Sequence, residues 1–471
     1  MASEDVAMAN AGEADDFEAK SQSFLAWLRQ HGTTISSSIE LADLRQHGAG
    51  RGVLAKDDIA EDEELFSVTR ASILTIATSK LPARVKAQID DPWLGLIAAM
   101  VYEHQQGGES SWKPYLAVLP ADFDTLIFWS DAELQSLRGS AVVDKIGKVS
   151  ADKAFNERVI PVIRENAEVF HADDMNDGNL LALCHRMGST IMAYAFDLEK
   201  PSHSQPKNEE DGWEEDDEES ESMPKGMIPL ADMLNADADR NNAKLYYEED
   251  KVVMKSIQPI KAGEEIFNDY GPLPTADVLR RYGYVTSNYA RYDVVEASLQ
   301  SIKDVAKEQM KLSDQVLAQR VRYLDEQDVL DDAYDISRSC NEDVEVFSEE
   351  LCILLQTLTL PEAEFEKSVR KEKLPKPELT PPSAELLSAV LRQRQTVYSM
   401  TMNPNGGTRD DMETTAEHKS AHRRTMAQQV IQGEQQVLAE ALAMLKGMSG
   451  STGEKRKAEP DTGAMSKKQK G

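Results

Sequence analysis

Residues 263–285 read G-E-E-I-F-N-D-Y-G-P-L-P-T-A-D-V-L-R-R-Y-G-Y-V. The spacing predicts a short strand over 265–268 and, within 273–285, a short helix that stops at Gly283, where a residue without a Cβ suits a helix end. Tyr270, Tyr282 and Tyr284 lie within fifteen residues beside that strand. One tyrosine is ordinarily a core residue with a satisfied hydroxyl. Three of them, set in N-D-Y-G and R-Y-G-Y, are candidates for a site.

Upstream, I-P-L-A-D-M-L-N at 228–235 leads into predicted strands at 244–248 and 251–256, separated by turns containing Asp and Gly. Before that run the composition changes abruptly: E-E-D-G-W-E-E-D-D-E-E-S-E at 209–221 carries ten acids in thirteen positions. Like charges at that density resist compaction, so 201–223 reads as a solvated acidic loop inserted within a domain. Helices are predicted over 180–196 and over 91–105, the latter opened by Asp91 as cap and Pro92 at its first position. G-A-G-R-G-V-L-A at 48–55 and the alternation of Phe66 and Val68 with Ser67 and Thr69 suggest two short strands around a turn. A helical pattern starts at Phe17 and places Phe24, Trp27 and Leu28 on one face, while residues 1–16 read as a disordered acidic lead-in.

Beyond residue 295 the texture is helical: 295–325, 343–358, 383–400 and 412–447 show three- and four-residue apolar spacing, with a Pro-rich connector at 373–383. Residues 450–471 are polar, basic and expected to be a disordered tail. No internal repeat is evident. Short strands followed by a helical block imply an α+β first domain and an all-α second one.

The 471 residues include 83 acids against 52 Lys and Arg, a net charge of -31. A surface that acidic repels phosphate backbones and excludes a globally basic nucleic-acid binder, while it can attract a basic peptide. Apolar residues at 41% allow a sizeable core. Cys184, Cys340 and Cys352 are too few and scattered for a disulfide framework or a Cys-rich zinc cluster, which fits a reducing compartment. The first residues lack the basic start and apolar core of a secretory signal, and no apolar run approaches the ~20 residues of a membrane span, so a soluble intracellular protein is expected.

Familiar catalytic signatures are missing: the chain has no GxxxxGK[ST], no GxSxG and no HExxH. His418 and His422 stand at i, i+4 with no third ligand nearby, which is an exposed helical face rather than a zinc site. Gly48, Gly50 and Gly52 lack the βαβ context of a dinucleotide turn. The order of the pieces carries more. G-A-G-R-G-V-x-A, W-K-P-Y-L-x-x-L-P (112–120), I-P-L-A-D-M-L-N, G-E-E-I-F-N-D-Y-G and R-R-Y-G-Y-V together resemble the SET-domain protein methyltransferases. The likeness is to the branch typified by the Rubisco large-subunit lysine methyltransferase, and within it to fungal enzymes that act on a 60S ribosomal protein. The resemblance implies an α+β SET domain over 17–295 with a helical insert at about 75–200, then an all-α substrate-binding domain over 296–449.

The chemistry of that class can be stated from first principles. Lysine must be neutral to accept a methyl group, yet its free pKa is ~10.4, so deprotonation at pH 7 costs about 4.6 kcal/mol. A narrow, dry, aromatic channel lowers that pKa by desolvation, and alignment supplies much of the rest. Tyrosines suit such a channel; a nucleophilic Ser or Cys, or a metal, is not needed.

By resemblance, Tyr270 is the catalytic tyrosine, also beside the cofactor S-adenosylmethionine, and Tyr282 is a second pocket tyrosine touching both cofactor and lysine. The backbone of Ala49, Gly50 and Arg51 is expected against the cofactor, as is Asn235. The family usually reads Asn-His where this chain has Asn235-Ala236; a backbone contact from Ala236 survives that change, and an imidazole role does not. Trp112 and Tyr194 fall at further cofactor-pocket positions. Tyr284 completes the lysine pocket where relatives commonly carry Phe, and a tyrosine there favours monomethyl-lysine. No metal is implied.

Lys455-Arg456-Lys457 and Lys467-Lys468-x-Lys470 form a bipartite pattern for a nuclear import receptor, so a nuclear location, open to sharing with the cytoplasm, is expected. The expected partner is a basic protein, foremost a 60S ribosomal protein, with no direct nucleic acid, no membrane and a monomeric chain. Alternatives are a transcription- or chromatin-linked substrate, a histidine acceptor, or a non-catalytic adaptor that binds peptides.

Overall fold

The computed structural model describes residues 2–199, 224–341, 343–399 and 415–450, which divide into two compact units. The first takes in the chain to Leu137, Val142–Tyr292 and the last helix as far as Val430. The second takes in Arg138–Ala141, the chain from Asp293 and the last helix from Ile431. The boundary after Tyr292 lies close to the sequence expectation; the assignment of the 415–430 stretch to the first unit was not anticipated.

The strands of the first unit are β1 (Thr34–Ile35), β2 (Ile39–Asp43), β3 (Arg51–Ala55), β4 (Glu64–Thr69), β5 (Ala195–Asp197), β6 (Lys225–Met227), β7 (Ala243–Tyr247), β8 (Lys251–Ser256) and β9 (Glu265–Ile266). They form three small sheets, all antiparallel, in the orders β1-β4-β8-β7, β2-β3-β9 and β5-β6. β4 has partners on both edges and buries Leu65 to Val68 without a break, which is why its sequence is nearly continuous rather than alternating. The expected strand 265–268 is shorter than read: Phe267 and Asn268 leave the ladder. Their backbones instead bond to a neighbouring loop, with Asn268 N donating to Asn235 O at 2.8 Å.

The helix Pro92–Gln105 begins as expected, the Asp91 carboxylate accepting from Leu94 N at 3.0 Å. It is buried on most sides and packs on the helix Asp177–Tyr194, so its apolar stretch reads as almost uninterrupted. The helix Thr275–Tyr282 stops at Gly283, which adopts the left-handed conformation with φ 79°. One expectation is corrected at the N-terminus. The stretch expected to be a disordered lead-in lies, from Ala2 on, within the first helix, which runs Ala2–Gln30. Its opening is rich in Ala, Met and Glu, strong helix formers, with Glu4 and Asp5 near the positive end of the helix dipole.

The second unit consists largely of helices. Leu299–Met310, Asp314–Asp325 and Glu349–Thr359 are each opened by a serine, Ser298, Ser313 and Ser348, whose side chain accepts from the backbone N–H three residues on. The helix Pro381–Ser399 starts inside the expected connector, because proline is tolerated in a first helical turn and Thr380 and Ser383 bond reciprocally there. The all-α expectation needs one correction: β10 (Val294–Ser298) and β11 (Ala333–Ser337) form a two-stranded antiparallel sheet. Each strand is five residues long and bordered by helices, too short for a two-residue alternation to stand out. The short helix Glu362–Arg370 escaped as well; Phe365 is its only buried residue.

The acidic stretch 201–223 and the basic clusters of the 450–471 tail lie outside the described residues, except for Gly450, where the last helix ends. β5 and β6 pair on either side of the former, with Leu198 N donating to Pro224 O at 2.8 Å. His418 and His422 are exposed on the helix Thr415–Gly450. No group able to hold a metal exists among the described residues, and no described helix is long and apolar enough to cross a membrane. All three cysteines are free.

Arg320 is buried in the second unit. It caps the end of Glu349–Thr359 by donating to the carbonyls of Thr357 (2.8 Å), Leu358 (2.9 Å) and Leu360 (2.7 Å), with its guanidinium over the Phe365 ring. Arg320→Ala strands three carbonyls and should lower stability by about 3 kcal/mol. Urea unfolding followed by circular dichroism would record it as a lower transition midpoint, and an unchanged midpoint would show that water replaces the guanidinium.

Candidate active site

A cleft of about 700 Å³ opens in the first unit where five segments converge. These are the glycine turn before β3, the stretch 118–120, the end of the helix Asp177–Tyr194, the loop 232–240, and the tyrosine-bearing stretch 265–288. Ala49, Gly50, Arg51, Tyr194, Asn235, Ala236, Tyr270, Tyr282 and Tyr284 all line it. Trp112 does not. It is 5% exposed and packs against Trp27 (5.5 Å) and Tyr115 (6.3 Å) in an aromatic cluster of the core. That corrects its expected place in the cofactor pocket. The part of W-K-P-Y-L-x-x-L-P that reaches the cleft is its end, Val118, Leu119 and Pro120.

The glycine turn divides its labour. Gly48 takes the left-handed φ of 79° that reverses the chain. Gly50 faces open space: a Cβ there would meet nothing within 4 Å. The backbone of 48–50 is therefore bare toward the cleft. Gly52 does the opposite, for a Cβ would lie 2.3 Å from Leu44 Cδ1, 2.9 Å from Glu265 Oε1 and 3.0 Å from Asn235 Nδ2. Only glycine lets β3 press against the Asn235–Glu265 pair, whose hydrogen bond is 2.7 Å. Arg51 turns its side chain away, donating to Ser21 Oγ, Val118 O and Phe17 O and stacking over the Phe17 ring at 3.8 Å. Its guanidinium ties the first helix to the cleft wall.

The tyrosines form a compact wall. Tyr270 and Tyr282 stack with ring centroids 4.3 Å apart and planes 3° from parallel, and Tyr284 tilts at 56° to Tyr282. Burial, reinforced by the neighbouring tyrosines, raises the Tyr270 and Tyr284 hydroxyls well above the ordinary phenol range. Burial, with the Asp232 carboxylate adding to it, pushes Tyr194 up to about 12. At neutral pH these groups are neutral phenols, able to donate and accept hydrogen bonds and unsuited to act as phenolate bases.

Several lining residues were not anticipated. Glu265 and Phe267, two apart, both face the cleft, which a period-two reading of E-I-F would have suggested. Asp237 is buried and accepts from Arg240 Nε (2.8 Å) and Asn288 Nδ2 (2.8 Å), bracing the rim. Asp232, within the quoted 228–235 motif, is also buried; one oxygen accepts from the Tyr115 hydroxyl and the other, Oδ1, has no partner. Burial dominates over that hydrogen bond and pushes its carboxyl up to about 8.

Residues 50–271 match the model of the SET domain family. Over 368 residues the chain is 34% identical to Ribosomal lysine N-methyltransferase 4 of Saccharomyces cerevisiae, covering 74% of this chain and 72% of that protein. Over 362 residues it is 29% identical to N-lysine methyltransferase SETD6 of Mus musculus, covering 73% and 70%. Among solved structures, Rubisco LSMT bound to AdoMet shares the fold with a TM-score of 0.63 at 19% identity, covering 92% of this chain and 93% of that one. The SET domain of LSMT bound to lysine and AdoHcy agrees with the same TM-score at 18% identity, covering 93% of each chain. A tyrosine-walled cleft on small antiparallel sheets is thus that of a SET domain. The chain belongs to the SET-domain protein-lysine methyltransferases.

The Asp232 carboxyl has a consequence for stability. When folded it keeps its proton up to about pH 8, whereas its ordinary value is 3.8, so its contribution is fully present in acid and is lost as pH rises from about 4 toward 8. Asp232→Asn retains an acceptor for Tyr115 and cannot ionise. Its stability relative to wild type should rise by about 3.5 kcal/mol between pH 5 and pH 8 in paired urea titrations. A difference that stays flat with pH would show that Asp232 is already ionised in the fold.

Proposed function

We propose that this methyltransferase uses S-adenosylmethionine to monomethylate a lysine of a large-subunit ribosomal protein. The observation that carries the ribosomal part is the 34% identity with the yeast ribosomal lysine N-methyltransferase, which extends over 74% of this chain. The net charge of -31 complements a basic ribosomal protein.

The cleft fits the cofactor. Its volume of about 700 Å³ is within the range of small-molecule sites, and the bare 48–50 backbone lets a ligand approach where side chains would obstruct it. Ala49, Gly50, Arg51, Asn235 and Ala236 would hold it through main-chain groups and the free side of the Asn235 amide. When bound, it supplies a methyl group on a positively charged sulfur.

The chain's own residues do the rest. Tyr270, Tyr282 and Tyr284 exclude water from the incoming lysine, so desolvation favours its neutral amine. Burial keeps the Tyr270 and Tyr284 hydroxyls protonated near neutrality, so the proton leaves the amine to solvent before the channel closes around it. The Tyr270 hydroxyl, a neutral phenol, orients the amine by hydrogen bonding. The Tyr284 hydroxyl occupies the room a methylated amine needs in order to turn and react again, which favours a single methylation.

The acceptor for the test is the large ribosomal subunit from yeast lacking Ribosomal lysine N-methyltransferase 4. Tyr270→Phe should reduce methyl transfer to them by about 100-fold or more while calorimetric binding of S-adenosylmethionine stays close to wild type. Wild-type rates in that variant would remove Tyr270 from the role. Intact-mass spectra should show monomethyl-lysine from the wild type. Tyr284→Phe should move product toward di- and trimethyl-lysine by roughly five- to tenfold, the effect of one hydrogen bond of about 1 kcal/mol. Trimethyl-lysine as the main wild-type product would refute the argument.

A further inference from the structure

Helix Thr415–Gly450 begins in the first unit, and its opening packs behind the tyrosine wall. Met426, Ala427 and Val430 are buried in a small cluster with Leu279, which lies on the helix that ends in Tyr282, and Val285, a cleft residue, packs on the same cluster. One turn earlier, Arg423 is 6% exposed. Its Nε donates to Asp124 Oδ1 at 2.9 Å, its Nη1 to Glu133 Oε2 and Phe128 O, both at 3.1 Å, and its Nη2 to Phe123 O at 3.4 Å. Lys419 adds a longer contact to Asp124 at 3.8 Å.

The loop held in this way touches the site. Gly283, between Tyr282 and Tyr284, sits so close to it that a Cβ would lie 2.9 Å from Thr125 N and 3.0 Å from the Asp124 carbonyl carbon. The backbone of 124–125 is therefore a hard floor beneath the turn that aims both tyrosines. Trp129 Nε1 holds the same loop by donating to Asp124 O at 2.8 Å. Loss of the guanidinium would leave Asp124 with only the longer Lys419 contact, and would take this donor from the Glu133 carboxylate and from the Phe123 and Phe128 carbonyls.

We infer that Arg423 is a positioning residue for methyl transfer: it fixes the Asp124–Thr125 floor and, through Gly283, the spacing of Tyr282 and Tyr284 in the lysine channel. The inference rests on the reading of those two tyrosines as channel walls. Arg423 touches neither cofactor nor lysine, so its removal acts on turnover and on the product pattern rather than on cofactor affinity. A looser Tyr284 gives a methylated amine room to react again.

The test uses the full-length chain as wild type, Arg423→Ala and Arg423→Lys, with the yeast large subunits described above as acceptor. Arg423→Ala should lower kcat 10- to 100-fold, the penalty of a small misplacement at a reacting centre. The dissociation constant for S-adenosylmethionine should stay within about twofold, the dimethyl fraction should rise, and hydrogen–deuterium exchange should quicken in the peptide 280–286. Arg423→Lys, which keeps the charge and can reach Asp124, should recover part of each effect. Unchanged kcat and exchange in Arg423→Ala would overturn the proposal. So would a loss of turnover matched by a loss of cofactor binding, since that signals general unfolding. If the wild type does not methylate this acceptor, the ribosomal reading fails, and the exchange in 280–286 still decides whether Arg423 holds the tyrosine turn.

Discussion

Two hydrogen bonds hold the cleft together: Asn268 N to Asn235 O at 2.8 Å, and Asp237 N to Asn268 O at 3.1 Å. They set residues 235–237 alongside Asn268 in a parallel bridge, joining two stretches that are otherwise only loops. Asn242 secures the arrangement, its Oδ1 accepting from Phe267 N at 2.8 Å and its Nδ2 donating to Glu265 O at 2.9 Å. Because a buried backbone group without a partner is costly, this pairing is close to obligatory once β9 has formed against β3. It brings Asn235 and Ala236 to the same cleft as Tyr270. The glycine turn, through Gly52, is pressed against the same point.

Much of this was legible because local rules and tertiary demands agree. Asp91 and Pro92 announced a helix that then proved to be buried on most sides, and Gly283 ended another helix in the conformation that glycine favours. The three tyrosines stood out because an aromatic cluster bracketed by glycines has little purpose in an ordinary turn. What escaped had no local signature. Trp112 sits inside W-K-P-Y-L-x-x-L-P, yet its direction is decided by Trp27, 85 positions away in the chain and in another element. β10 and β11 are strands because each pairs with the other across a helical interval, a long-range fact that five residues cannot encode. Asp232 looked like one acid among 83, and only its burial beside Tyr115 makes it unusual.

The electrostatics of the molecule change character between surface and site. The protein carries a large excess of acids, while burial keeps the Tyr194, Tyr270 and Tyr284 phenols of the cleft neutral across the physiological range. A cationic lysine is thus drawn to the protein by long-range field and meets, among these tyrosines, rings that carry no charge to pair with its own. Attraction and deprotonation are assigned to different parts of the molecule.

The partners of Arg423 also bear on how the molecule is made. Asp124 and Arg423 are 299 positions apart in the chain. At 5–20 residues per second, Arg423 is synthesised roughly 15–60 s after Asp124. During that interval the sheets and the tyrosine turn can form, but the helix that backs them does not yet exist. A contact of such sequence separation also comes late in folding, since the entropy of closing the loop must be met before the contact returns anything. The nascent chain therefore passes through a stage in which the tyrosine turn exists without the helix that packs behind it, and the Asp124–Arg423 contact is added only after most of the first unit has been made.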